Sequence, residues 1–311
     1  MRNIEILSTY PLVLKDSDNL YENIINKINL VINNFKPQNF SFNGGDGVKF
    51  NEKYRFIYET KKIVEIAKIR EDLKLFCETK LIDFFEKLKN ICIDDKINIQ
   101  ENIKFALRIR IMKDIYDYSL PPHKDSSDTI FSFILQLDFN NPGTSLYKKE
   151  KLVNLSKNND IKVQQKDLER IIKNEENNEN LKIEWGQGQF GFMPCAWTEN
   201  YCYKFSEEIK KLRYEIYSEA TIKPNKNEIY AINNVNNGLI DSNILRKFND
   251  NNYHGVRPVR IKERKLLIMD LIAKPTDLEI LALEGVNTNL NEFYILFKKE
   301  SSKNLIEILV K

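Results

Sequence analysis

The sequence predicts a mainly β fold with added helices, on three observations. "NIKFALRIRIMKDIY" and "DTIFSFILQLDF" alternate apolar and polar residues with the period of a strand. "RKLLIMDLIA" and "FYILFKK" later in the chain also read as strands, and "KIEWGQGQFGFMP" does so more weakly. The first hundred residues differ, placing apolar side chains at helical spacing.

Taken in order, "LYENIINKINLVINNF" from Leu20 to Phe35 predicts a helix, which "KPQNFSFNGGDGVKFN" ends with a proline and a Gly-Gly-Asp-Gly turn. No helix opening with Lys and Ser/Thr follows Gly44–Gly47, so a turn, rather than a phosphate cradle, accounts for it. Tyr58 to Ile91 predicts two further helices. Beyond the alternating strands, "NNPGTSLY" reads as a turn. A charged, Asn-rich stretch follows with one short helical run around "QQKDLERIIK", and "EEIKKLRYEIYSEATIKPNKNEIY" is again partly helical. The implied organisation is a mainly helical N-terminal support region over 1–100 and a core over 101–311. A charged insertion lies at about 148–183 and a possible second one at 206–230. Connections of this length act as lids or as solvated insertions.

Charge excludes some classes of partner. The 48 basic residues are interleaved with 45 acidic ones for a net +3, which gives nucleic-acid binding no support. An apolar fraction of 42% is that of a globular protein, and no window approaches the ~20 apolar residues of a membrane span. A cytoplasmic location is expected. Cys77, Cys92, Cys195 and Cys202 form no CxxC pair, so reduced thiols are expected rather than zinc or redox chemistry.

The chain has only two histidines, and their placement carries the chemistry. His123 and Asp125, in "SLPPHKDSSD", are spaced so that the end of a strand would send both side chains to one face. His254, in "NNYHGVRPVRIKERKLLIMDL", lies in a turn leading to an apolar strand. A distant histidine on another strand is what a facial site of two histidines and one carboxylate needs. Such a site suits iron(II) and leaves positions open. Arg264, ten residues beyond His254, offers a permanently charged planar fork matched to a carboxylate.

With "YSLPPHKD", "PGTSLY", "NNYHGVRPV" and "ERKLL" occurring in this order, the sequence resembles the 2-oxoglutarate and iron(II)-dependent oxygenases over roughly Phe105 to Ala273. The resemblance implies a double-stranded β-helix, a jelly roll of two facing sheets, with N-terminal support helices and a partly helical insertion. It implies iron(II) bound by His123, Asp125 and His254, 2-oxoglutarate held by Arg264, and O2 as cosubstrate. Tyr118 and Tyr116 are candidates for cosubstrate or substrate contacts, against the alternative of packed core. Arg110, Lys124, Ser126, Tyr147 and Arg257 are candidates for substrate contact or the site entrance. Arg108 and Arg110 share one face of their strand, where structural ion pairing is the alternative. Trp197 and Tyr201 form either an aromatic wall or core.

The family's distance from H-x-D to the distal histidine is commonly shorter. For the strand preceding "NNYHGV", "NNVNNGLI" and "QFGFMPCAW" compete.

The activity so implied is hydroxylation of an unactivated C–H bond, coupled to oxidative decarboxylation of 2-oxoglutarate to succinate and CO2. In the family's halogenating members a small residue replaces the ligand carboxylate, so Asp125 argues against halogenation. The expected partner is a small molecule, a metabolite or sugar-type precursor, with no nucleic acid and no membrane. Monomer and homodimer both stay open. The alternatives are a peptidyl hydroxylase acting on a protein and a non-catalytic, cupin-like metal- or ligand-binding protein.

Overall fold

The computed structural model describes residues 4–9, 12–40, 42–43, 49–50, 54–91, 104–116, 118, 120–123, 125, 129–147, 220–233, 253–256, 259, 261–273, 293–299 and 306–309. Its strands are β1 (Glu5–Thr9), β2 (Leu12–Ser17), β3 (Gln38–Asn39), β4 (Phe42–Asn43), β5 (Lys49–Phe50), β6 (Arg55–Ile57), β7 (Lys104–Ile115), β8 (Leu120–His123), β9 (Thr129–Gln136), β10 (Thr144–Tyr147), β11 (Ala220–Ile222), β12 (Glu228–Asn233), β13 (Tyr253–Val256), β14 (Glu263–Ala273), β15 (Phe293–Lys299) and β16 (Ile306–Leu309). The helices are α1 (Asn19–Ile32), α2 (Thr60–Val64), α3 (Ala67–Leu75) and α4 (Leu81–Ile91), with a π-helical turn, Phe76–Lys80, joining the last two.

Every strand pairing is antiparallel. A large sheet runs β1-β2-β12-β9-β14-β7-β15-β16, and β6 joins the same edge of β7 beyond β15. A small sheet runs β11-β10-β13-β8. From β7 to β14 the chain crosses repeatedly between them: β7, β9, β12 and β14 lie in the large sheet and β8, β10, β11 and β13 in the small one. This winding makes the fold a double-stranded β-helix, as expected. Among the described residues the strand before β13 is "EIYAIN"; "NNVNNGLI" beyond Asn233 and all of "QFGFMPCAW" lie outside the described residues. The stretch 148–183 also lies outside them, whereas 206–230 contains β11 and the start of β12.

Strand alternation divides the large sheet into two unlike faces. Leu107, Ile109 and Ile111 of β7, Phe131, Phe133 and Leu135 of β9, and Leu267, Met269 and Leu271 of β14 share one core with the helices. Phe84 of α4 meets Phe133 edge-on at 5.1 Å between ring centroids, and Phe76 does so at 5.3 Å. α1 follows Asp18, whose side chain caps the Leu20 N–H at 2.9 Å, and it buries Leu20, Tyr21, Ile24, Ile25, Ile28 and Ile32 on one stripe. The opposite face of the sheet looks at the small sheet. There Ile134, Tyr230 and Ile232 pack against Leu146 of β10 and Ile222 of β11. No helix among the described residues is long and apolar enough to cross a membrane.

Candidate functional site

The space between the sheets receives the chemistry. His254, on β13, stands directly opposite Leu146 of β10 and His123 of β8. Residues opposite one another in a sheet share a face. Because Leu146 packs on the large sheet, His254 projects into the sandwich, and it is buried. Asp125 comes two residues after β8 ends, and its Oδ2 lies 3.5 Å from His254 Nε2. Atoms bound side by side to one ion at roughly 2.1 Å sit about 3 Å apart, so a modest inward shift would let this pair share a metal. His123 occupies the register position next to them; its side chain lies outside the described residues.

Behind Asp125 runs a polar row set by sheet register. Arg108, Asp270 and Ser132 are successive cross-strand partners on β7, β14 and β9. Ser132 Oγ is 2.6 Å from Asp125 Oδ2 and 3.0 Å from Asp270 Oδ1. Asp270 Oδ2 accepts from Arg108 at 3.0 Å and from Arg110. Arg110 is therefore ion-paired, although its buried Nε has no hydrogen-bond partner among the described residues.

A second polar cluster forms at the start of β14. Arg264 is 1% exposed and donates to Asp114 Oδ2 at 2.9 Å. The same carboxylate accepts two bonds from Arg55 of β6, at 2.7 and 3.0 Å. Arg55 stacks over the ring of Tyr118, 4.3 Å from its centroid, and the buried Tyr118 packs against Val256 and Val259. Burial depresses the Arg264 guanidinium below its ordinary range, opposed by Asp114 and reinforced by the Arg55 charge. Burial is the largest single effect on Arg55 and works against it, but the charges of Asp114 and Tyr118 and the hydrogen bonding to Asp114 together raise the group. Two guanidiniums sharing one carboxylate leave a buried positive excess, and Arg264 Nε has no hydrogen-bond partner among the described residues.

The structure thus brings His254 to Asp125, with His123 in register, and groups Arg264 with Tyr118. Tyr116 is exposed. Tyr147 lies on β10 opposite Tyr253, its side chain outside the described residues, as are Lys124, Ser126, Trp197, Tyr201 and Arg257. Sequence reasoning passed over Asp114, Ser132 and Asp270, yet each left a signal. Asp270 is a lone carboxylate inside an apolar strand, Asp114 keeps the parity of Arg108 and Arg110, and Ser132 breaks the run "TIFSFILQ". Arg55 left none.

No family model and no curated protein matches the sequence. Two solved structures similar to this chain are of viral collagen prolyl hydroxylase from Paramecium Bursaria Chlorella virus-1. One is a complex with 2OG, 10% identical with a TM-score of 0.35 over 85% of this chain and 96% of that one. The other, a truncated form, is 12% identical with a TM-score of 0.36 over 88% and 95%. Both are named for a protein, collagen, and the small-molecule partner expected from sequence is corrected on that finding.

Proposed function

We propose that this chain is an iron(II)- and 2-oxoglutarate-dependent oxygenase that hydroxylates a residue within a peptide or protein. His123, Asp125 and His254 would hold the metal, and Arg264 would take the distal carboxylate of 2-oxoglutarate. The observation that supports this best is the approach of Asp125 Oδ2 to His254 Nε2 between the sheets, with His123 opposite His254 in register. Nitrogen and carboxylate donors of this kind suit iron(II). When bound, iron would supply the chemistry by which O2 oxidises 2-oxoglutarate to succinate and CO2 and the substrate C–H to C–OH, one oxygen atom going to each.

The chain's own residues supply binding and shelter. The buried positive excess at Arg55, Arg264 and Asp114 fits one further carboxylate, and Arg264 Nε, without a hydrogen-bond partner among the described residues, is a donor for it. Tyr118, stacked on Arg55, links that cluster to Val256 of β13. Leu266 and Met112, the cross-strand pair next to Arg264 and Asp114 on the same face of the sheet, are buried together and help to exclude water.

The test is an anaerobic titration with iron(II) and then 2-oxoglutarate, following visible charge-transfer absorption. A band that needs both additions, vanishes in His254→Ala and weakens in Arg264→Ala is expected. Folded, iron-loaded protein without a band would overturn the oxygenase reading. Succinate release with peptides, set against free amino acids, tests the substrate class: turnover with free amino acids alone would overturn the peptidyl reading.

A further inference from the structure

We infer that Ser132 is a positioning residue for Asp125, orienting the carboxylate that would bind metal; the inference rests on the function proposed above. Ser132 Oγ lies within reach of two carboxylates, Asp125 Oδ2 at 2.6 Å and Asp270 Oδ1 at 3.0 Å. A serine hydroxyl carries one proton and serves one acceptor at a time. Two features direct that proton to Asp125. The Asp125 contact is the shorter, at the length of a charge-assisted O–H···O⁻ bond. Asp270 is also already compensated, because its Oδ2 collects the guanidiniums of Arg108 and Arg110.

The oxygen that Ser132 addresses is the same Asp125 Oδ2 that approaches His254 Nε2. That hydrogen bond therefore bears on the rotation of the carboxylate at the atom that faces the other donor. Asp125 sits outside any strand, two residues past β8, and its backbone gives it no sheet register. Ser132 does have one: it is held in β9 between Asp270 of β14 and Ile232 of β12. The rigid large sheet thus aims a side chain carried by a connecting segment. Partners of this kind behind a metal ligand set its orientation and its basicity, and removing them costs about 10- to 100-fold in metal affinity.

The experiment is a titration of the full chain with Co(II), an air-stable probe read by its visible absorption, without cosubstrate or turnover. Ser132→Ala is expected to weaken Co(II) binding by about 10-fold or more, with the thermal midpoint little changed. Ser132→Thr, which keeps the hydroxyl, should stay within a few-fold of the parent. Ser132→Cys fills the same space with a weak donor and should fall with the alanine variant, so it serves if alanine does not fold. Binding that His254→Ala abolishes but both donor-poor variants retain would overturn the positioning role and leave the metal centre standing. No Co(II) binding by the parent chain would overturn the metal centre and the inference together.

Discussion

At the scale of single residues, Arg264 illustrates how one side chain meets two demands. It is buried against Asp114, but Asp114 is also held by Arg55, so the carboxylate keeps a partner when Arg264 is removed. Arg264→Ala should therefore fold while losing the proposed charge-assisted contact to 2-oxoglutarate, worth about 1.5–3 kcal/mol, a rise of at least 10-fold in the 2-oxoglutarate KM measured by succinate release. A KM unchanged in folded protein would remove Arg264 from the site. Tyr58 supports a different kind of statement. Burial, aided by the charge of Glu263, pushes its hydroxyl up to about 12. Unfolded, the same group ionises near 10. Between those values the folded chain holds a proton that the unfolded chain releases, so stability falls as pH rises through that window. Urea midpoints at pH 9 and pH 11 should differ in that direction, and Tyr58→Phe should flatten the difference.

At the scale of elements, the helix α3, its π turn and α4 form one rod whose turn carries a buried lysine. Lys80 is 1% exposed and reaches Asp16 and Asp18, each at 2.7 Å. Asp16 also accepts from Tyr21. This joins the rod to the end of β2 and the start of α1. Lys80→Met leaves the buried Asp16 and the partly buried Asp18 without this cation and should cost about 3–5 kcal/mol, read as a lower urea midpoint. Gly143 makes a backbone demand: its φ is +74°, and a Cβ there would stand 2.0 Å from the Ile222 carbonyl oxygen. Gly143→Ala should lower the thermal midpoint through both strain and displacement of β11 from β10.

How far these elements could be read from sequence depends on their surroundings. β7 and β15 were legible within a residue or two, β7 from its apolar–polar alternation and β15 from the short apolar run "FYILF". β2 was not: Leu12, Val13 and Leu14 are buried in succession, with apolar neighbours on both faces of the large sheet, so its sequence does not alternate. β8 was expected from the H-x-D motif, since its own residues include two prolines, which cannot donate to a ladder and are accommodated because β8 is the edge of the small sheet among the described residues. For the site, His123, Asp125, His254 and Arg264 were marked by motif, whereas Arg55 reaches Asp114 only through the pairing of β6 with β7, which no local pattern encodes.

At the scale of the whole molecule, the first hundred residues are continuous with the β-helix. β2 pairs with β12, β6 pairs with β7, and α1 shares its core with β7, β9 and β14. The polar connections follow the same plan: Arg55 reaches Asp114, and Asn29 donates to the Leu137 carbonyl at the end of β9 at 2.8 Å. Deleting residues 1–17 would remove β1 and β2, and with them Leu12, Val13 and Leu14, each almost wholly buried. At about 1.5–3 kcal/mol for each such side chain, the loss is about 5–9 kcal/mol, comparable to the ~5–15 kcal/mol that holds a typical domain folded. It would also expose the backbone edge of β12 and strip Lys80 of Asp16. The truncated chain should therefore lack a cooperative thermal transition by circular dichroism under conditions in which the full chain shows one. A cooperative transition within a few degrees of the parent would mean that the β-helix closes its own core without the N-terminal strands.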